Sequence, residues 1–104
     1  MTVHRVGPLS DLADGSARRV EVDGHVIALV RIGEDVYAIG DRCSHQDISL
    51  SEGDVLAEDR QLECWKHGSA FSLETGEPTS LPATRPVPVY DARVVDGEIE
   101  VVVQ

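Results

Sequence analysis

The sequence is short of cysteine, of aromatic side chains, of basic residues and of long apolar runs. Two cysteines, one tryptophan, one phenylalanine and two tyrosines occur in 104 residues. Two thiols cannot build the multi-bridge framework that holds small secreted domains together. Nine Lys and Arg stand against nineteen Asp and Glu, a formal charge of -10, which leaves no basic footprint for a nucleic-acid backbone. The longest aliphatic run is Val26 to Val30, far below the ~20 apolar residues of a membrane-crossing helix. The N-terminus, Met1 to Val6, lacks the apolar core of a secretory signal. Neither nucleic acid nor membrane is an expected partner, and a soluble, cytoplasmic, monomeric protein is the expectation.

What the chain does hold is valine, fifteen of them in short alternating runs. A branched side chain suits a half-buried pleated surface, so the fold class read from the sequence is all-β. The length fits one domain, 1–104, with no second catalytic unit. Strands are expected at Val3–Val6, Arg18–Val22, Val26–Ile32, Val36–Ile39, Val87–Val95 and Glu98–Val103, with a polar turn at Pro8–Leu12. Asp23-Gly24 and Asp96-Gly97 mark tight hairpins, because both readily take positive φ. His25, beside the first hairpin, is expected to be exposed. From Asp41 to about Phe71 the texture turns polar and loop-like, with short strand candidates at Asp54–Ala57 and Gln61–Cys64 and another from Ala70 to Leu73. So little apolar content is not expected to pack a core of its own, which assigns the holding of this insertion to a bound metal group.

The chemistry lies in that insertion. Cys43-Ser44-His45 and Cys64-Trp65-Lys66-His67-Gly68 are separated by eighteen residues, and each cysteine is followed within three residues by a histidine. Thiolate and neutral imidazole suit zinc or an iron-sulfur cluster and do not suit calcium or magnesium. Zinc sites draw cysteines as one close pair and histidines as another, whereas here each pair is mixed. Mixed pairs let two loops put both thiolates on one iron and both imidazoles on the other, the ligand set of a Rieske 2Fe-2S centre. A zinc-binding structural module remains the competing reading. A Cys43–Cys64 disulfide would leave the histidine spacing unexplained, and a Cys-His nucleophile would need an orienting group and an oxyanion site that nothing signals.

On these motifs the sequence resembles the Rieske family, and in particular its 2Fe-2S ferredoxins, over nearly the whole chain. The resemblance implies an antiparallel β-sandwich or barrel base built from both ends of the chain, with a cluster-binding subdomain at about 41–71 inserted in it. It implies one 2Fe-2S cluster, with Cys43 and Cys64 on the inner iron and His45 and His67 on the outer iron that takes the electron. The implied function is an electron carrier, not an enzyme: single electrons pass from a flavin-dependent reductase to a terminal oxygenase, commonly an aromatic-ring dioxygenase. A small subunit fixed in a larger reductase of the nitrite reductase type is the alternative. With only Ser69 to Gln104 after the last motif, the oxygenase itself, with its mononuclear-iron domain, is not the expectation.

Departures from the respiratory branch of the family bear on potential. Its loop-bridging cysteines match Ile48 and Lys66, and its sulfur-bonding tyrosine matches Phe71. Its serine that bonds a bridging sulfide is matched by Ser69. The balance implies a low-potential ferredoxin within the Rieske span of about -150 to +300 mV. Leu81-Pro82-Ala83 resembles the loop that shields the cluster, and Trp65 is expected to cover the cluster or pack in the base. Asp41, Asp47 and Glu52 are expected to form an acidic collar for docking, with Ile48 and Leu50 as an apolar alternative.

Overall fold

The computed structural model describes residues 2–42, 49–64, 69–79 and 85–103. Strands β1 (Thr2–Pro8), β2 (Ser16–Val22), β3 (His25–Ile32), β4 (Asp35–Gly40), β8 (Val89–Val95) and β9 (Glu98–Val103) form one sheet in the order β1-β9-β8-β4-β3-β2. A second sheet, β5-β6-β7, holds Asp54–Leu56, Gln61–Glu63 and Ala70–Ser72. Every pairing in both sheets is antiparallel.

The two Asp-Gly turns follow the local chemistry. Asp23 and Gly24 have φ of 50° and 80°, Asp96 and Gly97 52° and 78°. Positive φ at both central residues is the two-residue turn whose twist matches that of paired strands. Their hairpins close on Val22 with His25 and on Val95 with Glu98. Strand β8 begins two residues later than the valine pattern indicates, because Pro88 has no N–H to give a ladder. The Pro88 carbonyl still accepts from the Gly40 N–H at 2.8 Å. The sheet curls until its edges face each other: His4, Arg5 and Val6 of β1 and Arg18 to Val22 of β2 line one groove of about 430 Å³.

Strand β3 explains how the second sheet attaches. Ile27, Ala28, Leu29 and Val30 are all buried, although alternate residues of a strand point to opposite faces. Ile27 and Leu29 belong to the core inside the curled sheet, with Ala38, Ile99, Val101 and Val103. Ala28 and Val30 face outward into a second core with Ile39, Leu50, Leu62, Cys64, Phe71, Leu73 and Val87. The insertion therefore shares an apolar core with the base. The insertion has no core of its own, as its composition indicates, but a few well-spaced apolar residues close one against the wall that the base supplies. His25 also departs from expectation, since it is half-buried, with Nδ1 3.2 Å from the Tyr90 hydroxyl and the two rings edge-on at 5.6 Å. Burial pushes the Tyr90 hydroxyl above the ordinary phenol range.

Candidate metal centre

Cys43, His45 and His67 lie outside the described residues, as do Asp47, Ile48, Trp65, Lys66, Gly68 and Leu81-Pro82-Ala83. The chain that leads into and out of each of these spans is described, and its geometry is specific.

The span 43–48 leaves from one paired stem. Arg42 and Ser49 form an antiparallel bridge, and the Leu50 N–H donates to the Asp41 carbonyl at 2.5 Å. The span 65–68 leaves from the end of the β6-β7 hairpin, where Glu63 pairs with Ala70 and the Cys64 N–H donates to the Ser69 carbonyl at 2.6 Å. Before 80–84, Pro78 bridges Phe71, and the Thr79 N–H donates to the Ala70 carbonyl at 2.7 Å. Ala70 thus pairs with the second stem and accepts from the third, so the two lie side by side.

Gly53 brings the first stem against the second. Its backbone is ordinary, with φ of -85°, so conformational freedom is not why glycine stands here. A Cβ at this position would sit 1.8 Å from the Glu63 carbonyl oxygen and 3.2 Å from that of Leu50. Only a residue without a side chain lets the chain after Ser49 press against the residue preceding Cys64. The two segments that carry the Cys-His motifs accordingly start from abutting stems.

Cys64 is 1% exposed and shares its apolar cluster with Leu50, Leu62, Phe71 and Leu73. Phe71 is fully buried, a site where a ring fits and a hydroxyl would need a partner. Ser69 is fully buried too. A buried hydroxyl beside the metal-motif hairpin is not the solvated turn residue that its place after a glycine suggests. His4 and His25 sit on the base, beside Thr2 and Tyr90. The donor chemistry fits an iron-sulfur group: a buried thiol at a strand end, an apolar cover, and abutting stems on either side.

Two proposed docking residues are placed differently from expectation. Asp41 is 2% exposed and Leu50 0%, so neither can meet a partner, whereas Glu52 is exposed. The Asp41 carboxylate instead accepts from the Ser49 hydroxyl and, at 2.8 Å, from the Ser51 N–H. The Arg19 guanidinium lies 3.8 Å from it. Sequence reasoning missed this cluster, because an aspartate in a polar stretch carries no sign of burial.

Comparison with known proteins bears on the same residues. The Rieske [2Fe-2S] domain matches residues 2–91. The 3-phenylpropionate/cinnamic acid dioxygenase ferredoxin subunit of Escherichia coli (strain K12) is 44% identical over 92 residues, covering 88% of this chain and 85% of that protein. The ferredoxin of carbazole 1,9a-dioxygenase from Nocardioides aromaticivorans IC177 superposes with a TM-score of 0.96 at 39% identity, over 100% of both chains. A chain of a complex of reduced oxygenase and oxidized ferredoxin in carbazole 1,9a-dioxygenase gives a TM-score of 0.87 at 40% identity, covering 96% of this chain and 92% of that one. A domain match across most of the chain, joined to identity of this order, shows that the chain belongs to the Rieske family, whose one 2Fe-2S cluster is its cofactor.

Proposed function

We propose that this protein is the ferredoxin of an aromatic-ring dioxygenase system, receiving single electrons from a flavin-dependent reductase and delivering them to a terminal oxygenase. It is an electron-transfer component and not the catalytic enzyme. The observation that carries this reading is the near full-length identity to a dioxygenase ferredoxin subunit, 44% over 88% of the chain. A fixed small subunit of a nitrite-type reductase is the less supported reading, and retention of a large partner at high salt would reveal it. Among the described residues no helix is long and apolar enough to cross a membrane, and the working compartment proposed is the cytoplasm.

Cys43 and Cys64 are proposed as ligands of the inner iron, His45 and His67 as ligands of the outer one. When bound, the cluster takes up and gives back one electron at a time, at a potential raised by having two neutral imidazoles in place of two thiolates. The residues of this chain hold it and tune it. Leu50, Leu62 and Phe71, all fully buried, keep water from the Cys64 side. Gly53 keeps the first motif's stem against the second. Ser69 supplies a buried hydroxyl for hydrogen bonding to sulfur, which shifts potential without changing the ligands.

The test is direct. The isolated protein is expected to be reddish-brown, with about two irons and two labile sulfides per chain. Cys64→Ser and Cys43→Ser are each expected to lose the visible absorbance and the iron together. One zinc per chain with no sulfide, in a colourless protein, would overturn the electron-transfer function.

A further inference from the structure

Asp41 stands out once it is removed from the docking surface. Burying a carboxylate costs several kcal/mol unless hydrogen bonds or an opposite charge replace its water. A chain with nineteen acidic residues has no need of this one for solubility. Yet every polar group of Asp41 is engaged. Its N–H donates to the Val26 carbonyl at 3.1 Å, and its carbonyl accepts from the Leu50 N–H at 2.5 Å. One carboxylate oxygen accepts from the Ser51 N–H at 2.8 Å, and the other accepts from the Ser49 hydroxyl and lies 3.8 Å from Arg19. Ser49 spends its single hydroxyl hydrogen on Asp41, so in the 2.8 Å contact between Ser49 and Ser51 the Ser51 hydroxyl is the donor.

These partners lie at three places in the fold. Val26 and Arg19 belong to β3 and β2 of the base. Ser49, Leu50 and Ser51 lie just beyond the span 43–48, and Asp41 lies just before it. The side chain of Asp41 therefore ties the entry of that span to its exit, and its backbone N–H ties both to the base.

We propose that Asp41 is the positioning residue of the first ligand loop: its buried carboxylate, clamped by Ser49 and Ser51, sets the register from which Cys43 and His45 reach the cluster, and thereby tunes the reduction potential. The proposal rests on the assignment of Cys43 and His45 as ligands. Two effects follow from the clamp. The hydroxyl donated by Ser49 pins the chain just beyond the loop to the chain just before it, so the two ends from which the ligands are held keep one spacing. The carboxylate adds a negative charge, shielded from water, that opposes arrival of an electron.

The experiment compares wild-type protein with Asp41→Asn, Ser49→Ala and, as a control, Glu58→Gln at an exposed carboxylate of the same insertion. The readouts are iron content, midpoint potential, and the g-anisotropy and nitrogen couplings of the reduced centre. Asp41→Asn is expected to shift the midpoint upward and alter the g-anisotropy. Ser49→Ala, which keeps the charge and removes one clamp, is expected to alter the g-anisotropy with a smaller midpoint shift, and Glu58→Gln to leave both unchanged. Should Asp41→Asn fail to fold, Ser49→Ala decides alone: altered g values support the clamp, and wild-type values overturn it. Variants that melt at lower temperature with wild-type spectra and midpoint would reduce Asp41 to a structural residue. Wild-type protein without iron and sulfide would overturn the ligand assignment as well, which separates that failure from failure of the clamp alone.

Discussion

The base and the insertion are held by different means. In the base, strands of six to eight residues pair along most of their length, and β2 and β3 alone register seven residue pairs. In the insertion each strand has three residues, too short to be stable without packing. The insertion makes up the difference with a core borrowed from the outer face of β3 and β4, with polar stems, and with one glycine that lets two stems touch. Long regular pairing makes a rigid platform that tolerates local change. Short pairing fixed by a few contacts places a metal site well but concentrates its vulnerability in those contacts.

Gly53 is where this difference breaks most sharply. Gly53→Ala would drive a methyl group to 1.8 Å from the Glu63 carbonyl oxygen, a backbone atom that cannot swing aside. Overpacking of this kind costs about 1–3 kcal/mol, and more where the backbone cannot give. Isolated Gly53→Ala protein is expected to hold much less iron than wild type, while far-UV circular dichroism keeps the β signature of the base. Gly24→Ala, at a base hairpin with φ of 80° and open space around the Cβ, strains only its turn and is expected to keep its iron. Equal iron in the two variants would show that the stems do not depend on their close approach.

The same contrast decides what could be read from the sequence. Strands β2, β3 and β9 and the two Asp-Gly hairpins were legible, because alternation and turn chemistry are local. The Cys-His motif was legible because residue identity and spacing alone carry it. The burial of Asp41 and Leu50 is not legible, since it involves partners distant in sequence: Arg19 on β2 for Asp41, Leu62 and the outward face of β3 for Leu50. The alternation around Phe71 and Leu73 marks a strand and does not show that both residues belong to a core shared with the base. A segment without periodicity does not announce which few of its residues turn inward.

A smaller effect is expected at the second stem, where Ser69 and Phe71 flank the buried Cys64 site. Ser69→Ala removes a fully buried hydroxyl, and Phe71→Tyr adds one to a fully buried ring. A hydrogen bond to sulfur stabilises the more negative, reduced cluster. Ser69→Ala is therefore expected to lower the midpoint and Phe71→Tyr to raise it, both read by voltammetry with iron content unchanged. The base offers the matching control: Tyr90→Phe removes a hydroxyl that bonds His25 and should leave the midpoint where it was. Midpoints unmoved by Ser69→Ala and Phe71→Tyr would mean that neither position touches a sulfur.

The smallest effect concerns docking. With Asp41 and Leu50 buried, a local acidic collar loses one of its three carboxylates and the apolar alternative loses one of its two side chains. Glu52 remains exposed, and behind it stands the whole-chain charge of -10. Charge of that size steers a basic partner over distances that salt screens, about 10 Å at 0.1 M. Steering raises the rate of encounter more than the lifetime of the complex. Electron transfer from a reductase with a basic docking face is thus expected to slow as ionic strength rises. Glu52→Lys should slow it further at low salt, by about tenfold, the low end of the roughly one to three decades over which association rates of mutants of one interface vary. The visible spectrum should stay the same. At high salt the variant and wild-type rates should converge, because the term that separates them is the one that salt removes. A rate indifferent to salt and to Glu52→Lys would reject steering and assign docking to apolar contact.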